Sequence, residues 1–358
     1  MIPWRKIANN NGQPAPRNAK RVLVIALGGV AEFMQALAAA KAIRHYHVGA
    51  RITLLATDAM KPLAEKCPYF DVVETEAAQP AVPTAASAVS AATAGAIEPP
   101  KLVQIISRIR HAKYDMVYDL ENSKRTAAIF SGLRPWPPHW SGAANGASHA
   151  YADSDRTRLH PLDAYAAQLA AAGVPADEML PDLSWVRIAL RDPPRLQPDY
   201  FGIRGRYVLL LPRGDDSVKD RRWPEAKYAD IARRVASQGV TPVVLGGPAE
   251  RGIGAAIAKA EPAAKNLVTR PDLFQCAGLA ERAAFALGDD VEMMHVAAAA
   301  GAQCLVFLSS NANPERAAPR GPGGVVSFTA ATIADIPVDQ VERQLRNCAV
   351  IQGHRATA

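Results

Sequence analysis

The stretch RVLVIALGGVAEFMQALAAAKAIR (21–44) decides the fold class of this protein. Its first seven residues form a continuous apolar run, which predicts a strand buried on both faces of a sheet. Gly28 and Gly29 separate that strand from residues 31–46, whose apolar stripe predicts a helix. A buried strand followed directly by a helix is the repeating unit of a parallel sheet covered by helices.

The same alternation continues through two consecutive halves of the chain. The predicted strands are short apolar runs that alternate with predicted helices. They lie at 21–27, 51–56, 71–74 and 114–119 in the first half, and at 207–212, 241–247, 284–288 and 303–309 in the second. Residues 134–160 carry no clear period and are predicted to be irregular. The pattern therefore predicts an α/β protein with two parallel sheets.

A length of 358 residues suggests two domains at roughly 150 residues per domain. Residues 77–100 are rich in Ala, Pro, Ser and Thr, and we interpret them as a flexible insertion in the first domain. The predicted organisation is a basic arm at 1–20, an N-terminal domain at 21–190, a Pro- and Arg-rich linker at 191–206, a C-terminal domain at 207–345 and a tail at 346–358.

The composition excludes several classes of protein. With 49% hydrophobic and 21% charged residues, the chain resembles neither disordered nor collagen-like sequences. No run of 18 apolar residues is present, and the first residues lack the pattern of a signal peptide, so we expect a cytoplasmic protein. The four cysteines are far apart and form no CxxC motif, which favours reduced thiols (Cys67, Cys276, Cys304 and Cys348).

The net charge of +7 is concentrated near the N-terminus, where five basic residues precede the first acid, Glu32. Such an arm can contact an anionic membrane surface, at about 1 kcal/mol per basic residue. A solvated tail is the alternative interpretation. We expect no nucleic-acid partner, because the rest of the chain is nearly balanced in charge and carries no recognised nucleic-acid motif.

Four loops at predicted strand ends are candidate ligand-binding segments, because ligands of open α/β sheets bind beyond the carboxyl ends of the strands. They are LGGVAE (27–32), PRGDDSVKDRRWP (212–224), GGPAE (246–250) and LGDDVEMMHVAAAAG (287–301). The first contains only two adjacent glycines and so lacks the GxGxxG dinucleotide fingerprint.

Each loop has a functional and a structural interpretation. Glu32 is either a catalytic carboxylate or a helix-capping residue favoured by the helix dipole. The cations and the hydroxyl group at 212–224 suit a phosphate, although the neighbouring acids can equally form salt bridges with them. Glu250 can accept hydrogen bonds from ribose hydroxyls. His295 is a single histidine, and such residues are more often structural.

Taken together and in this order, these loops and DLENSKRTA (119–127) resemble glycosyltransferase family 9, over residues 21 to 345. This family contains the ADP-heptose:lipopolysaccharide heptosyltransferases. The resemblance implies the GT-B architecture, in which two Rossmann-like domains face each other across a cleft. It also implies an inverting enzyme without a metal or other cofactor, which transfers a sugar such as heptose from a nucleoside-diphosphate donor to a lipid-linked or polysaccharide acceptor of the cell envelope.

The resemblance also implies roles for individual residues. Glu32 takes the place of the family's catalytic carboxylate, in the acceptor-side loop with Gly28 and Gly29. The donor and its phosphates are assigned to the C-terminal half, through Ser217, Arg221, Glu250, Asp290, Val291, Glu292 and His295. The basic arm would then hold the enzyme peripherally at the inner membrane.

The sequence departs from the family pattern on the candidate site, at Ala26, Ala31, Val291, Glu292 and Met293. Glu292 would place a negative charge near the donor's phosphate. These departures support an alternative hypothesis, a family 9 homologue that has lost catalysis and acts as a binding or scaffold subunit in envelope polysaccharide assembly. A GT-B sugar-nucleotide epimerase is a third interpretation.

Overall fold

A computed structural model describes residues 13–76, 99–151, 158–177, 179–214, 222–289 and 291–352. The chain divides into two compact units, the first ending at Met179 and the second beginning at Leu180. Each unit contains one six-stranded sheet, and all the strand pairs are parallel. The predicted α/β class is therefore confirmed. No helix in the ranges above is long and apolar enough to cross a membrane.

The first unit has strands in the order β3-β2-β1-β4-β5-β6. These strands are β1 (Arg21–Ala26), β2 (Arg51–Ala56), β3 (Val72–Thr75), β4 (Met116–Asp119), β5 (His139–Gly142) and β6 (His149–Ala150). The helices that accompany them are α1 (Val30–Tyr46), α2 (Lys61–Ala64), α3 (Pro99–Ala112), α4 (Lys124–Gly132) and α5 (Pro161–Ala171).

The core of the first unit explains why its sequence folds in this way. Five of the six residues of β1 are buried, as the apolar run at 21–27 predicts. Trp140 on β5 is fully buried and packs edge-on against Phe130 of α4, with 5.2 Å between the ring centroids. Each aromatic side chain of this size removes 150–250 Å² from water, so this pair is a major part of the core.

Part of the predicted N-terminal arm packs on the first unit. The Ala15 N–H donates to the carbonyl of Ala172, and the Tyr46 hydroxyl donates to the Ala15 carbonyl, both at 2.7 Å. The Arg17 guanidinium lies 5.1 Å from the centroid of the Tyr46 ring. A solvated tail therefore does not describe residues 13–20, whereas residues 1–12 lie outside the described ranges, as do residues 77–98 of the predicted insertion.

The second unit has strands in the order β12-β11-β10-β7-β8-β9. These strands are β7 (Tyr207–Leu211), β8 (Thr241–Val244), β9 (Lys265–Asn266), β10 (Phe285–Gly288), β11 (Cys304–Ser309) and β12 (Val325–Ala330). The helices of this unit are α6 (Trp185–Ala189), α7 (Glu225–Ala236), α8 (Arg251–Ala260), α9 (Leu273–Arg282), α10 (Val291–Ala299), α11 (Pro314–Ala317) and α12 (Val338–Asn347).

Trp223 lies at the centre of the second core and contacts the rings of Tyr228 and Phe307, at centroid distances of 4.8 and 4.7 Å. The same core includes Val350 and Ile351, from the predicted tail. The predicted linker at 191–206 also packs on this unit. Its two 3-10 turns, Pro194–Leu196 and Pro198–Phe201, lie against α9.

The prediction that residues 134–160 are irregular is wrong in part, because β5 and β6 lie there. These strands have four and two residues, which is too short for a periodic pattern to emerge. The sequence also gives little sign of β12, since this strand at the edge of the sheet is largely solvent-exposed or half-buried. The predicted insertion ends earlier than expected, because α3 begins at Pro99.

Candidate active site

Both sheets have the strand order that binds nucleotides in Rossmann-type domains. In each unit the chain winds outward in one direction from the first strand and then returns to its other side, so that β1 lies beside β4 and β7 lies beside β10. At this switch point the connections leave in opposite directions and open a crevice beyond the carboxyl ends of the two strands. Two of the four predicted loops, 27–32 and 212–224, begin at these switch points.

The loop after β1 presents the carboxylate of Glu32 to solvent. Gly29 is the N-cap of α1, and Glu32 lies exposed in the first turn of that helix. A Cβ added at Gly28 would lie 2.4 Å from the Cβ of Glu32, so only glycine lets the loop approach this side chain so closely. Within the described part of the chain, Glu32 has no hydrogen bond or ion pair. Its carboxylate is therefore available to a ligand.

Two charged side chains to which the sequence analysis gave no role bind the backbone of this loop. They lie in the connection that follows the neighbouring strand, β4. The Leu27 N–H donates to Glu121 Oε2 at 3.2 Å, and Arg125 Nη2 donates to the Leu27 carbonyl at 3.0 Å. Arg125 also pairs with Glu76 at 3.0 Å and with Glu121 at 3.8 Å. Burial raises the pKa of Glu76, and the positive charge of Arg125 opposes that shift. The spacing of Glu121 and Arg125, an acid and a base four residues apart after a strand, is the signal that could have revealed them.

A network of polar side chains holds the segment between β4 and α4, which carries Glu121. Asn122 has a left-handed backbone with φ of 53°, and its side chain donates to Gln168 at 2.7 Å and accepts from the Ala143 N–H at 2.7 Å. Asp119 is fully buried, which raises its pKa to about 6, although the Asn122 N–H donates to it. The network fixes the start of α4 and therefore the position of Glu121.

In the second unit a buried carboxylate, Asp289, connects three elements at the switch point. Its Oδ1 accepts from the Arg213 N–H at 2.9 Å and from the Tyr228 hydroxyl at 2.6 Å, and its Oδ2 accepts from the Trp223 N–H at 2.6 Å. Burial raises the pKa of Asp289 to about 6, and these donors oppose the shift. The resemblance directs attention to the next residue, Asp290, which lies outside the described ranges.

Glu250 is buried and makes contacts within the protein. Its Oε1 accepts from the Gly214 N–H at 2.8 Å and its Oε2 accepts from the Gly247 N–H at 2.7 Å. The side chain therefore joins the loop after β7 to the loop after β8. Each oxygen retains a lone pair for a hydroxyl donor, so the predicted contact with a ribose stays a prediction.

Three of the remaining predicted residues, Val291, Glu292 and His295, belong to α10. Glu292 is exposed in the first turn of that helix, whereas His295 is buried one turn later. Ser217 and Arg221 lie outside the described ranges, and the side chain of Val291 is likewise not described. Their predicted roles stay predictions. Among the residues that the structure does describe, no cluster of three or more His, Cys, Asp or Glu side chains could hold a metal ion.

The two units contain nearly the same hexapeptide in loops that follow strands, LGGVAE at 27–32 and LGGPAE at 245–250. In both, a Cβ on the first glycine would lie within 2.6 Å of the Cβ of the glutamate. The two glutamates nevertheless differ in their surroundings. Glu250 accepts two backbone N–H groups, whereas Glu32 accepts none from any residue in the described ranges.

The family model of glycosyltransferase family 9 (heptosyltransferase) matches residues 102–326. A glycosyl transferase of family 9 from Veillonella parvula superimposes with a TM-score of 0.71 at 15% identity, over 93% of this chain and 98% of its own. E. coli ADP-heptose lps heptosyltransferase II superimposes with a TM-score of 0.69 at 17% identity, over 92% of this chain and 98% of its own. E. coli heptosyltransferase WaaC with ADP superimposes with a TM-score of 0.67 at 15% identity, over 92% of this chain and 99% of its own. A comparison with curated protein sequences gives no match.

The structural likenesses occur at low identity and show a shared fold. Together with two Rossmann-like sheets in one chain, they define the fold class of the protein as GT-B. The family match covers more than half of the 358 residues. The chain therefore belongs to glycosyltransferase family 9, as its sequence motifs predict.

The raised pKa of Asp289 predicts a pH-dependent stability. Between about pH 4 and 6 the folded protein keeps a proton on Asp289 that the unfolded chain releases. The contribution of this group to the free energy of unfolding therefore falls as the pH rises through that range. Asp289→Asn also leaves one backbone N–H without an acceptor, which costs about 1–3 kcal/mol.

Urea denaturation of the wild type and of Asp289→Asn at several pH values between 4 and 7 measures this effect. We expect the stability difference between the two proteins to shrink as the pH rises. Asp199→Asn, at an exposed position, should show no such trend. A constant difference between wild type and Asp289→Asn would contradict the prediction.

The close approach of the loops after β7 and β8 predicts opposite effects for two glycine substitutions. A Cβ at Gly214 would lie 2.1 Å from the carbonyl oxygen of Ala249, which is backbone and cannot rotate away. Gly214→Ala should lower the free energy of unfolding by about 1–3 kcal/mol. Gly252→Ala, in α8 with open space around it, should raise that free energy by about 0.5–1 kcal/mol. Chemical denaturation tests both, and an unchanged Gly214→Ala variant would refute the close contact.

Proposed function

We propose that the protein is an inverting glycosyltransferase that moves a sugar, with heptose as the leading candidate, from a nucleoside diphosphate to a lipopolysaccharide or another envelope glycan. The observation that supports this most directly is the unpaired Glu32 carboxylate at the switch point of the first unit. A general base must reach the acceptor hydroxyl without a competing partner, and Glu32 has none among the residues that the structure describes.

In the proposed reaction Glu32 takes the proton from the acceptor hydroxyl as its oxygen attacks the anomeric carbon of the donor sugar. The bond between that carbon and the diphosphate breaks on the opposite face, so the configuration inverts and the diphosphate leaves with the electron pair. Groups that stabilise the leaving charge contribute most when they are fixed in advance. The candidates for this role are Ser217, Arg221 and the backbone N–H groups at the start of α10, with Glu250 binding the ribose and His295 supporting the phosphate loop.

The exposure of Glu292 is relevant to the donor site. A buried carboxylate at this helix start would repel a diphosphate by several kcal/mol. Because Glu292 is exposed, its charge is screened by solvent, and the repulsion is correspondingly smaller. This favours an active enzyme over the scaffold hypothesis.

For location we propose a cytoplasmic enzyme that contacts the inner membrane peripherally through its basic N-terminal arm. The five basic residues at the start of the sequence, Arg5, Lys6, Arg17, Lys20 and Arg21, support this proposal. A lipid-linked acceptor would then be concentrated near the enzyme.

The proposed base predicts that Glu32→Gln lowers the rate of sugar transfer by about 10²- to 10⁴-fold, because the amide cannot accept the proton. Nucleotide binding should be unchanged, since Glu32 lies in the unit that does not carry the donor residues. Glu32→Asp keeps the charge and should retain more activity than Glu32→Gln. Transfer rates and nucleotide titrations of the three proteins provide the test, and unchanged turnover in Glu32→Gln would remove Glu32 from the mechanism.

The donor class can be identified by calorimetric titration of the purified protein with ADP, UDP, GDP and CMP in turn. We expect one of the nucleoside diphosphates to bind with one-to-one stoichiometry, because the second unit has the nucleotide-binding strand order. Absence of binding by all four at millimolar concentration would contradict the proposal and favour the scaffold hypothesis.

A further inference from the structure

The edge of the first sheet opposite to Glu32 contains a cavity of about 940 Å³. This amino edge is formed where β1, β4 and β5 begin, and its cavity is lined by residues that precede or open these strands, among them Lys20, Arg21, Lys113, Pro137 and His139. A strand of six residues spans roughly 20 Å. The amino edge is therefore well separated from the loop that carries Glu32.

The amino edge concentrates positive charge. Lys20 and Lys113 are exposed, and their ammonium groups have no hydrogen bond or ion pair with any residue in the described ranges. Arg21 and Arg51 are neighbours in the register of β1 and β2, so two like charges lie on adjacent strands. Like charges in such a pair repel each other, and the carboxylate of Asp71 lies close enough to Arg51 to offset part of its charge.

The one acid in the cavity lining does not neutralise these cations by direct ion pairs. Asp115 Oδ2 accepts the backbone N–H groups of Lys20 and Arg21, at 2.8 and 2.9 Å. The Arg21 side chain instead donates to the Ala112 carbonyl at 2.6 Å. With three cations (Lys20, Arg21 and Lys113) and one acid (Asp115), the lining carries a net positive charge.

Large apolar side chains are exposed on the same edge. Trp136 lies immediately before the lining residues Pro137 and Pro138 and is 80% exposed, and Val48, in the turn that leads into β2, is 83% exposed. Prolines on both sides of Trp136 restrict the backbone that presents the indole. An indole beside cationic side chains is typical of a surface that contacts the headgroup region of a bilayer, where the ring is apolar and its N–H remains hydrated.

We propose that the amino edge of the first sheet docks on a bilayer that contains anionic phospholipids. Lys20, Arg21, Arg51 and Lys113 contact headgroup phosphates, and Trp136 enters the interface. The inference rests on the membrane contact proposed above for the arm and names a second, folded surface for it. The described chain begins at Gln13, and Pro16, Asn18 and Ala19 of the predicted basic arm line this cavity together with Lys20. Docking there leaves the loop with Glu32 clear of the lipid.

The test measures binding of the full chain to two kinds of vesicle, phosphatidylcholine alone and phosphatidylcholine with one third phosphatidylglycerol, by co-sedimentation. The wild type should bind only the anionic vesicles, and less tightly as the salt concentration rises. The double variant Lys20→Ala, Lys113→Ala should lose about 30-fold in partition coefficient, at roughly 1 kcal/mol per lysine. Trp136→Ser should weaken binding to the anionic vesicles independently.

The matched control is Lys259→Ala, Lys265→Ala, which removes two exposed charges from the second unit. It should lose much less binding than the double variant on the amino edge. Equal losses in the two double variants would overturn the proposal, as would a loss that occurs only when residues 1–12 are deleted. Binding to single-stranded nucleic acid instead of vesicles, with the same dependence on Lys20 and Lys113, would also overturn it.

Failure of this proposal can be distinguished from failure of the proposed function. Transfer to a soluble acceptor fragment should be unchanged in the amino-edge variants, because none of these residues lies near the candidate site. Vesicle binding, in turn, needs neither donor nor acceptor. A protein that binds anionic vesicles through this edge but transfers no sugar would support the docking surface alone.

Discussion

The buried carboxylate of Asp289 determines how the loops of the second unit are held. An isolated charge in a protein core is strongly unfavourable, so a buried carboxylate requires donors. Here the donors come from the loop after β7, from Trp223 and from the Tyr228 hydroxyl of α7. The Trp223 indole N–H in turn donates to the Ile336 carbonyl at 3.0 Å. The segment that contains Ser217 and Arg221 therefore begins and ends at residues whose positions are fixed.

The first unit meets the same constraint with different side chains. Where a parallel strand ends, its last backbone groups lose their partners in the sheet and need others. At Leu27 both groups find them, the N–H at Glu121 and the carbonyl at Arg125. The loop that carries Glu32 is thus anchored by side chains on the adjacent connection, and the carboxylate of Glu32 itself takes no part in that anchoring.

The hydrophobic pattern predicted the fold wherever strands were long and fully buried. The run at 21–27 and the helix that follows illustrate this, since nearly every residue of β1 and much of α1 is buried. The pattern failed for β5 and β6, which are too short to show a period. It also failed for β12, because an edge strand has less apolar surface to bury.

The sequence predicted where the candidate site residues lie better than it predicted which contacts they make. Glu32 and Glu250 lie at strand ends, as expected, but the sequence does not show that the oxygens of Glu250 accept backbone N–H groups. The adjacent acids Asp289 and Asp290 look equivalent in sequence, and the burial of Asp289 and the loops that it joins are visible only in the structure. Glu121 was quoted within a family motif, but its contact with Leu27 depends on the pairing of β1 with β4.

The repeated hexapeptide has a consequence for how activity can be gained or lost in evolution. LGGVAE and LGGPAE place a glutamate against a glycine in the same way, yet the Glu250 carboxylate accepts backbone N–H groups and the Glu32 carboxylate accepts none within the described ranges. The Gly214 N–H, which belongs to the neighbouring loop after β7, is one of the two groups that occupy Glu250. A small shift of an adjacent loop could therefore silence a catalytic glutamate without any change to the glutamate itself.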